Sequence, residues 1–283
     1  MRDSLSNNAE VVLEVGNVSR EFGGLRAVSD YNLSLRQGDL LGLIGPNGAG
    51  KTTVFNLLSG VLPPTEGHII FSGRRMNGLR SDQYAKAGIA RTFQNIRLFK
   101  GLSVLDNVRV AIDIPLKEKV LGLLPLPGAS RQDRESREQA RELLDIFGLE
   151  GLSDRSADTL PYGLRRKLEI ARALALRPRL LLLDEPAAGM NPQETKDLAQ
   201  SIVAIHSRFK LTTVLIEHDM DLVMGVAERI QVLSRGSVLA EGKPADIQSN
   251  PAVIEAYLGS AADGAAWRTR RDLLRQTKGQ GNA

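Results

Sequence analysis

The sequence predicts an α/β protein built on a mainly parallel core sheet, and three observations carry that expectation. Leu40 to Ile44 is an apolar strand that runs into a glycine-rich loop, with a helix to follow from Lys51 to Ser59. Leu180 to Leu183 is a continuous apolar run, the pattern of a parallel strand buried on both faces. Thr212 to Ile216 is a second such strand, with a helix between the two. Strand, helix and strand in one sheet require a right-handed crossover.

Taken in order, the N-terminal third reads as short strands: Val11 to Val18, Tyr31 to Leu35, Leu40 to Ile44 and, after the helix, His68 to Phe71. Ser103 to Leu160 changes character and is expected to form a mostly helical insert. Within it, Arg131 to Phe147 places Ala140, Leu143, Leu144 and Phe147 at helical spacing. Pro115 to Ala129 holds too many prolines and glycines for one helix and reads as a surface excursion. In the last third, Asn191 can cap a helix with Pro192 at its first position and Glu194 at its third. Leu198, Ile202, Ile205 and Phe209 line one face of that helix.

Composition narrows the function. The 283 residues allow one large domain or two modest ones. With 42% hydrophobic and 25% charged residues, wholesale disorder and collagen-like repeats are excluded. Cysteine is absent, which removes disulfides, thiolate metal sites and cysteine nucleophiles. The polar start MRDSLSNNAE has no apolar core of a signal peptide, and no run of about 18 apolar residues occurs, so neither secretion nor a membrane span is expected. From Ser260 to Ala283, five basic residues (Arg268, Arg270, Arg271, Arg275, Lys278) face two acidic ones (Asp263, Asp272), so most of the net charge of +4 lies in the tail. A nearly neutral body argues against a nucleic-acid footprint.

Gly45, Pro46, Asn47, Gly48, Ala49, Gly50, Lys51 and Thr52 form a complete G-x-x-x-x-G-K-[ST] between an apolar strand and a helix, the context that a phosphate-binding P-loop requires. Backbone amides and the helix N-terminus make a concavity for phosphate. Lys51 reaches the β and γ phosphates, and Thr52 can ligate Mg²⁺. The second signal is Asp184 and Glu185 at the end of an apolar strand. Adjacent acids there can serve a metal and an attacking water; standing alone, they would read more readily as solvated strand-end charges, and the phosphate loop is what turns the balance.

The third signal is Leu160, Pro161, Tyr162, Gly163, Leu164, Arg165, Arg166, Lys167, Leu168, Glu169, shortly before the acidic strand. Here the chain resembles the ATP-binding cassette (ABC) ATPases, whose signature L-S-G-G-Q precedes a basic helix. The resemblance covers about residues 11 to 260. Gln94 in RTFQ then looks like the Q-loop, Asn191 in GMNP like the D-loop position, and His218 in IEHDM like the switch histidine. Phe22 resembles the aromatic that stacks on adenine, with Val28 beside it, and a core role for Phe22 is the bland alternative. The strings FGGLRAV, GPNGAGKTT, ARTFQNIRLF, DEPAAGMNP, IEHDM and AYLG are similar to the ATPase subunits of bacterial branched-chain amino acid importers.

The resemblance implies a P-loop NTPase cassette with an N-terminal antiparallel β subdomain and a helical subdomain near 95–175 inserted in the core. The cassette spans 11–260, preceded by a short N-terminal segment, 1–10, and followed by a basic tail, 261–283. ATP and Mg²⁺ are the implied cofactors. Residues 45 to 52 with Thr53, Phe22, Val28, Tyr162 and Gly163 would bind nucleotide. Thr52, Gln94 and Asp184 would serve the metal, and Lys51, Glu185, Gln94 and His218 the chemistry. Implied partners are two membrane permeases and a second, different ATPase, with a homodimer conceivable in isolation. A periplasmic binding protein takes part indirectly, no nucleic acid is involved, and the place is the cytoplasmic face of the inner membrane.

The chain departs from the family pattern in ways that matter. Pro161 stands where the signature has serine and offers neither hydroxyl nor N–H. Tyr162 replaces a glycine and Leu164 the glutamine, while Gly163 remains at the start of the basic helix, where backbone amides can still face an anion. Asn191 replaces an aspartate, and a plain helix N-cap is an equal reading. His68 and His206 have no placement near the site and read as structural. Trp267, Arg270, Arg271 and Leu274 share a helical face that could meet anionic lipid or a partner, with a disordered tail the simpler account. Rival readings are a urea or amide importer and a soluble ABC protein acting on nucleic acid or ribosomes. The interval from Lys51 to Asp184, a separation of 133, holds no sustained heptads, and the chain has one phosphate loop, which tells against the soluble class.

Overall fold

The computed structural model describes residues 10–117 and 129–258. Two sheets organise them. The first is antiparallel, with order β2-β1-β4-β5, formed by β1 (Val11–Phe22), β2 (Leu25–Arg36), β4 (Glu66–Phe71) and β5 (Arg74–Arg75). The second has order β10-β9-β3-β8-β7-β6, from β3 (Leu40–Ile44), β6 (Ile89–Arg91), β7 (Leu180–Asp184), β8 (Thr212–Ile216), β9 (Arg229–Ser234) and β10 (Ser237–Gly242). Its pairings are parallel except the hairpin β9–β10.

The leucine run of β7 shows why the second sheet sits centrally. Leu180 and Leu182 join a cluster with Leu41, Leu43, Val54, Phe55 and the inner face of the first sheet. Leu181 and Leu183 point the other way, into a cluster with Leu198, Ile202, Ile205 and the remaining helices. Successive side chains of a strand face opposite sides, so a strand covered on both faces has no place for a polar residue until its end.

Helix α1 (Lys51–Leu58) follows the glycine loop, and α2 (Ser81–Ala87) leads into β6. Helices α3 (Val104–Lys117), α4 (Ala129–Ile146) and α5 (Tyr162–Ala175) pack together through Val108, Ala140, Leu144, Leu168 and Ala171. Helices α6 (Pro192–Phe209) and α7 (Met220–Val226) cover the core sheet, and α8 (Pro244–Ser249) and α9 (Pro251–Leu258) close the described chain.

The expected strands and helices are present, with longer β1 and β2 than the apolar pattern suggested. Both ends of the expected excursion are helical, Pro115 to Lys117 closing α3 and Ala129 opening α4; the rest of it lies outside the described residues. So do residues 259–283, including Trp267, Arg270, Arg271 and Leu274. Asn191 is the N-cap of α6: its side chain accepts from the Gln193 and Glu194 amides at 3.0 Å each, and the Glu194 carboxylate accepts the Asn191 N–H at 3.0 Å. His206 is held by Leu211, whose carbonyl accepts from Nδ1–H at 2.9 Å, and His68 packs over Gly16, so both are structural. No described helix is long and apolar enough to cross a membrane.

Candidate active site

Three carboxyl-terminal strand ends of the core sheet converge here: β3 delivers the glycine loop, β7 the two acids, and β8 the histidine. Ligands of open α/β sheets bind at this edge. The loop's shape depends on its glycines. Gly45 has φ 153°, and a Cβ there would sit 2.2 Å from the Leu233 carbonyl oxygen; Gly50 has φ 104°, and a Cβ would meet the Ala27 carbonyl at 2.8 Å. Neither position admits a side chain.

Lys51 is buried, and its Nζ donates to the carbonyls of Gly45 at 2.6 Å and Pro46 at 3.0 Å, which curls the loop around the ammonium. A cavity of about 400 Å³ opens above it, lined by Asn47 to Thr53 together with Leu25, Arg26, Ala27, Glu185, His218, Arg235 and Gly236. The phosphate loop, both candidate chemical residues and two further arginines thus face one space. Gly236 ties the rim together: its N–H donates to the Ala49 carbonyl at 3.0 Å, and its own carbonyl accepts the Ser29 N–H at 2.8 Å.

Glu185 adopts φ 47°, unusual for a side chain of its size, while its N–H donates to the Ile216 carbonyl at 2.9 Å. Its Oε1 lies 3.1 Å from Nε2 of His218. The neighbouring Glu217 is buried, accepts the Ala187 N–H at 2.6 Å and the His218 N–H at 3.1 Å, and burial pushes its carboxyl up to about 7.

Asp184 is also buried, with Oδ2 held by the Arg91 guanidinium at 2.7 Å. Arg91 donates in addition to Asn56 of α1 at 2.8 Å and to Ser59, its C-cap, at 2.9 Å, so this buried pair ties the end of β7 to the helix behind the phosphate loop. Oδ1 of Asp184 has no hydrogen-bond partner. A buried orphan carboxylate oxygen calls for a cation or a water. Together with the Thr52 hydroxyl it is the hard-oxygen donor set that Mg²⁺ prefers. The described residues contain no cluster of three His, Cys, Asp or Glu, as suits an ion that draws its other ligands from phosphate and water. The residues present therefore fit Mg²⁺.

Other expected residues are placed differently. Phe22, the last residue of β1, is 41% exposed, with Arg20 stacked 4.7 Å from its ring centre. Val28 is fully buried beneath Gly50, so it can serve a nucleotide only by shaping the loop from below. Gln94 is exposed and outside the cavity lining; its carbonyl accepts from Arg166 at 2.7 Å. Tyr162 and Gly163, at the first turn of α5, are likewise outside that lining. Pro161 is the N-cap without a side-chain bond, and the first-turn amides of the helix have no intrahelical acceptor. Arg26, Arg91 and Arg235 were not anticipated. Arg91 belongs to a three-residue strand with no pattern to mark it, and Arg26 and Arg235 reach the cavity only through turns whose positions need the fold.

What this arrangement can do is hold the phosphates of a nucleotide on the loop while an acid and a histidine face the same space, which defines the class: a P-loop nucleoside triphosphatase. The family described as ABC transporter matches residues 28–188, and the family described as branched-chain amino acid ATP-binding cassette transporter matches residues 237–263. The high-affinity branched-chain amino acid transport ATP-binding protein BraF of Pseudomonas aeruginosa is 47% identical over 251 residues, covering 88% of this chain and 98% of its own. LivG of Escherichia coli (strain K12), with the same description, is 45% identical over 254 residues, covering 89% and 100%. Among solved structures, an ATP-binding cassette of an ABC transporter in its ADP conformation matches with TM-score 0.75 and 28% identity, covering 89% of this chain and 100% of that one. A dimeric cassette bound to ADP and Pi after hydrolysis matches with TM-score 0.68 and 28% identity, covering 82% and 98%. The chain belongs to the ABC transporter family, and its activity is ATP hydrolysis.

Proposed function

We propose that this chain is the ATPase subunit of an importer for branched-chain amino acids. The observation that carries the reading is the similarity of 45–47%, nearly end to end, to transport ATP-binding proteins of that description. The match of residues 237–263 to the corresponding family adds support from a part of the chain remote from the phosphate loop.

ATP lies in the cavity with its phosphates on residues 45–53, Lys51 on the β and γ groups, and the adenine against Phe22. Thr52 and Asp184 hold Mg²⁺, which when bound neutralises phosphate charge. Glu185 takes the proton of the attacking water. With hydrogen on Nε2, His218 donates to Oε1 of Glu185 and leaves Oε2 for that water. Gln94 swings in from its exposed position toward the metal and the γ-phosphate. Tyr162 and Gly163 act across a dimer interface on the nucleotide of a second cassette, with the free amides of α5 in place of the missing serine hydroxyl. Closure of the two cassettes excludes water and gates the chemistry. The stretch 95–175 serves as the helical subdomain that meets a permease. The chain sits peripherally at the cytoplasmic face of the membrane, with two permeases, a different second cassette and, indirectly, a periplasmic binding protein.

Affinity purification from detergent-solubilised native membranes, followed by mass spectrometry and uptake assays, tests this. Two polytopic permeases and a second cassette should co-purify, and leucine, isoleucine and valine uptake should fail in cells carrying only Glu185→Gln. Ribosomal or nucleic-acid-binding companions, or unchanged uptake, would overturn the reading.

A further inference from the structure

Arg166 is fully buried although it carries a permanent charge, and nothing in the phosphate chemistry accounts for it. A buried guanidinium is costly unless its donors are engaged, and here both terminal nitrogens are engaged while Nε has no hydrogen-bond partner. Nη1 donates to the Phe93 carbonyl at 2.5 Å and to Oε2 of Glu169 at 2.8 Å; Nη2 donates to the Gln94 carbonyl at 2.7 Å and makes a longer contact, 3.4 Å, to the Tyr162 hydroxyl. Glu169, also buried, accepts the Arg97 N–H on its other oxygen at 3.3 Å. One turn of α5 therefore grips the backbone at three places between residues 93 and 97. The guanidiniums of Arg91 and Arg97 lie 5.2 and 4.6 Å from the ring centre of Phe93, which fixes the start of the same segment.

We infer that Arg166 is a positioning residue for Gln94: it fastens the backbone that carries the Gln94 carboxamide to the helix whose first turn holds Tyr162 and Gly163. A displacement of that helix then moves Gln94 with it, so engagement of Gly163 with a second cassette and the aim of Gln94 at its own nucleotide are one event. The planar fork is what allows two adjacent carbonyls to be held at once; a lysine ammonium reaches one with good geometry. This rests on the reading of Gln94 as a residue that meets the γ-phosphate.

The test is a double-mutant cycle on ATP hydrolysis by the full chain in its assembled transporter, with Arg166→Met, Gln94→Ala and both together. Because the phosphate loop is untouched, Arg166→Met should lower kcat by roughly tenfold with little change in the KM for ATP, and Arg166→Lys should restore part of it. The double variant should be no slower than Gln94→Ala alone. Should Arg166→Met fail to fold, Arg166→Lys takes its place in the cycle, with the same expectation of non-additivity. Losses that multiply, or a KM that rises as kcat falls, would assign Arg166 to fold stability alone and overturn the inference. An unchanged kcat in Gln94→Ala would remove the reading of Gln94 first, and this inference with it.

Discussion

Glu185 and His218 are hydrogen-bond partners, Oε1 to Nε2 at 3.1 Å, although 33 positions separate them in the chain. They meet because β7 and β8 are adjacent parallel strands that end level with one another, Asp184 opposite Ile216. The left-handed backbone of Glu185 costs about 1–3 kcal/mol, which the bond from its N–H to Ile216 helps to offset. The strain turns the carboxylate back over the end of the sheet and into the cavity instead of onward into solvent.

Glu185→Gln keeps the shape and the contact to His218 but cannot take a proton. ATP affinity, measured by equilibrium titration, should be retained, while single-turnover hydrolysis should fall by several powers of ten. His218→Ala should cost less, about 10²-fold or more, since it removes the partner and leaves the base. Near-normal hydrolysis by Glu185→Gln would take Glu185 out of its role.

Gly163→Asp should abolish dimerisation driven by ATP in a Glu185→Gln background, followed by light scattering. A Cβ at Gly163 would already lie 2.8 Å from Oε1 of Glu194, so the new carboxylate must crowd an existing one at the very turn offered to the second nucleotide. Because Gly163 is buried and Glu194 belongs to the capping box of α6, the Tm of the variant is measured alongside, and the loss of dimerisation counts only where Tm is retained. A variant that dimerises normally would separate Gly163 from the interface.

Glu217 gives the stability a pH dependence of definite sign. Its folded value of about 7 lies above the ordinary 4.5, because burial disfavours the charged form. The folded chain therefore holds that proton more tightly, and this contribution is complete below about 4.5 and lost as pH rises through about 7. Glu217→Gln should flatten the fall in Tm across this window. An equal slope in both proteins would show that other groups set it.

Asn191→Ala should cost about 1 kcal/mol of stability, whereas Asn191→Asp, which keeps the capping oxygen, should cost little. If both keep full ATPase activity while only the alanine variant lowers Tm, capping is the whole role of Asn191.

Much of this site was legible because its parts are local. The glycine loop needs a strand before it and a helix after it within a few residues, and 40–58 supplies all three. Asp184 and Glu185 end an unbroken leucine run, so their place at the ligand edge follows from the strand's end, even though Asp184 is itself buried there against Arg91. Asn191, Pro192 and Glu194 spell a capping box whose partners are three residues apart. What stayed hidden depends on contacts between distant segments. Arg91 sits in a three-residue strand and finds Asp184 93 positions away. Val28 looked available beside Phe22, but the alternation along β2 turns it inward beneath Gly50. Arg166 is one basic residue among three in a row, and only the packing of α5 against residues 93–97 distinguishes it from Arg165 and Lys167.

The bonds of Gly236 to Ala49 and Ser29 have a mechanical meaning. One residue, through its own N–H and C=O, ties the turn of the β9–β10 hairpin to the phosphate loop on one side and to the first sheet on the other, so these three parts are joined as a single block. A Cβ at Gly236 would press into the Ala27 carbonyl at 2.8 Å, so this tie has no slack for a larger residue. The three-helix group meets the rest of the molecule differently, through packed side chains, with Val108, Leu144 and Leu168 in one cluster with Leu181, Leu198 and Ile202, and through the stretch at 93–97. A load placed on the phosphate loop is therefore shared at once by the hairpin and the first sheet.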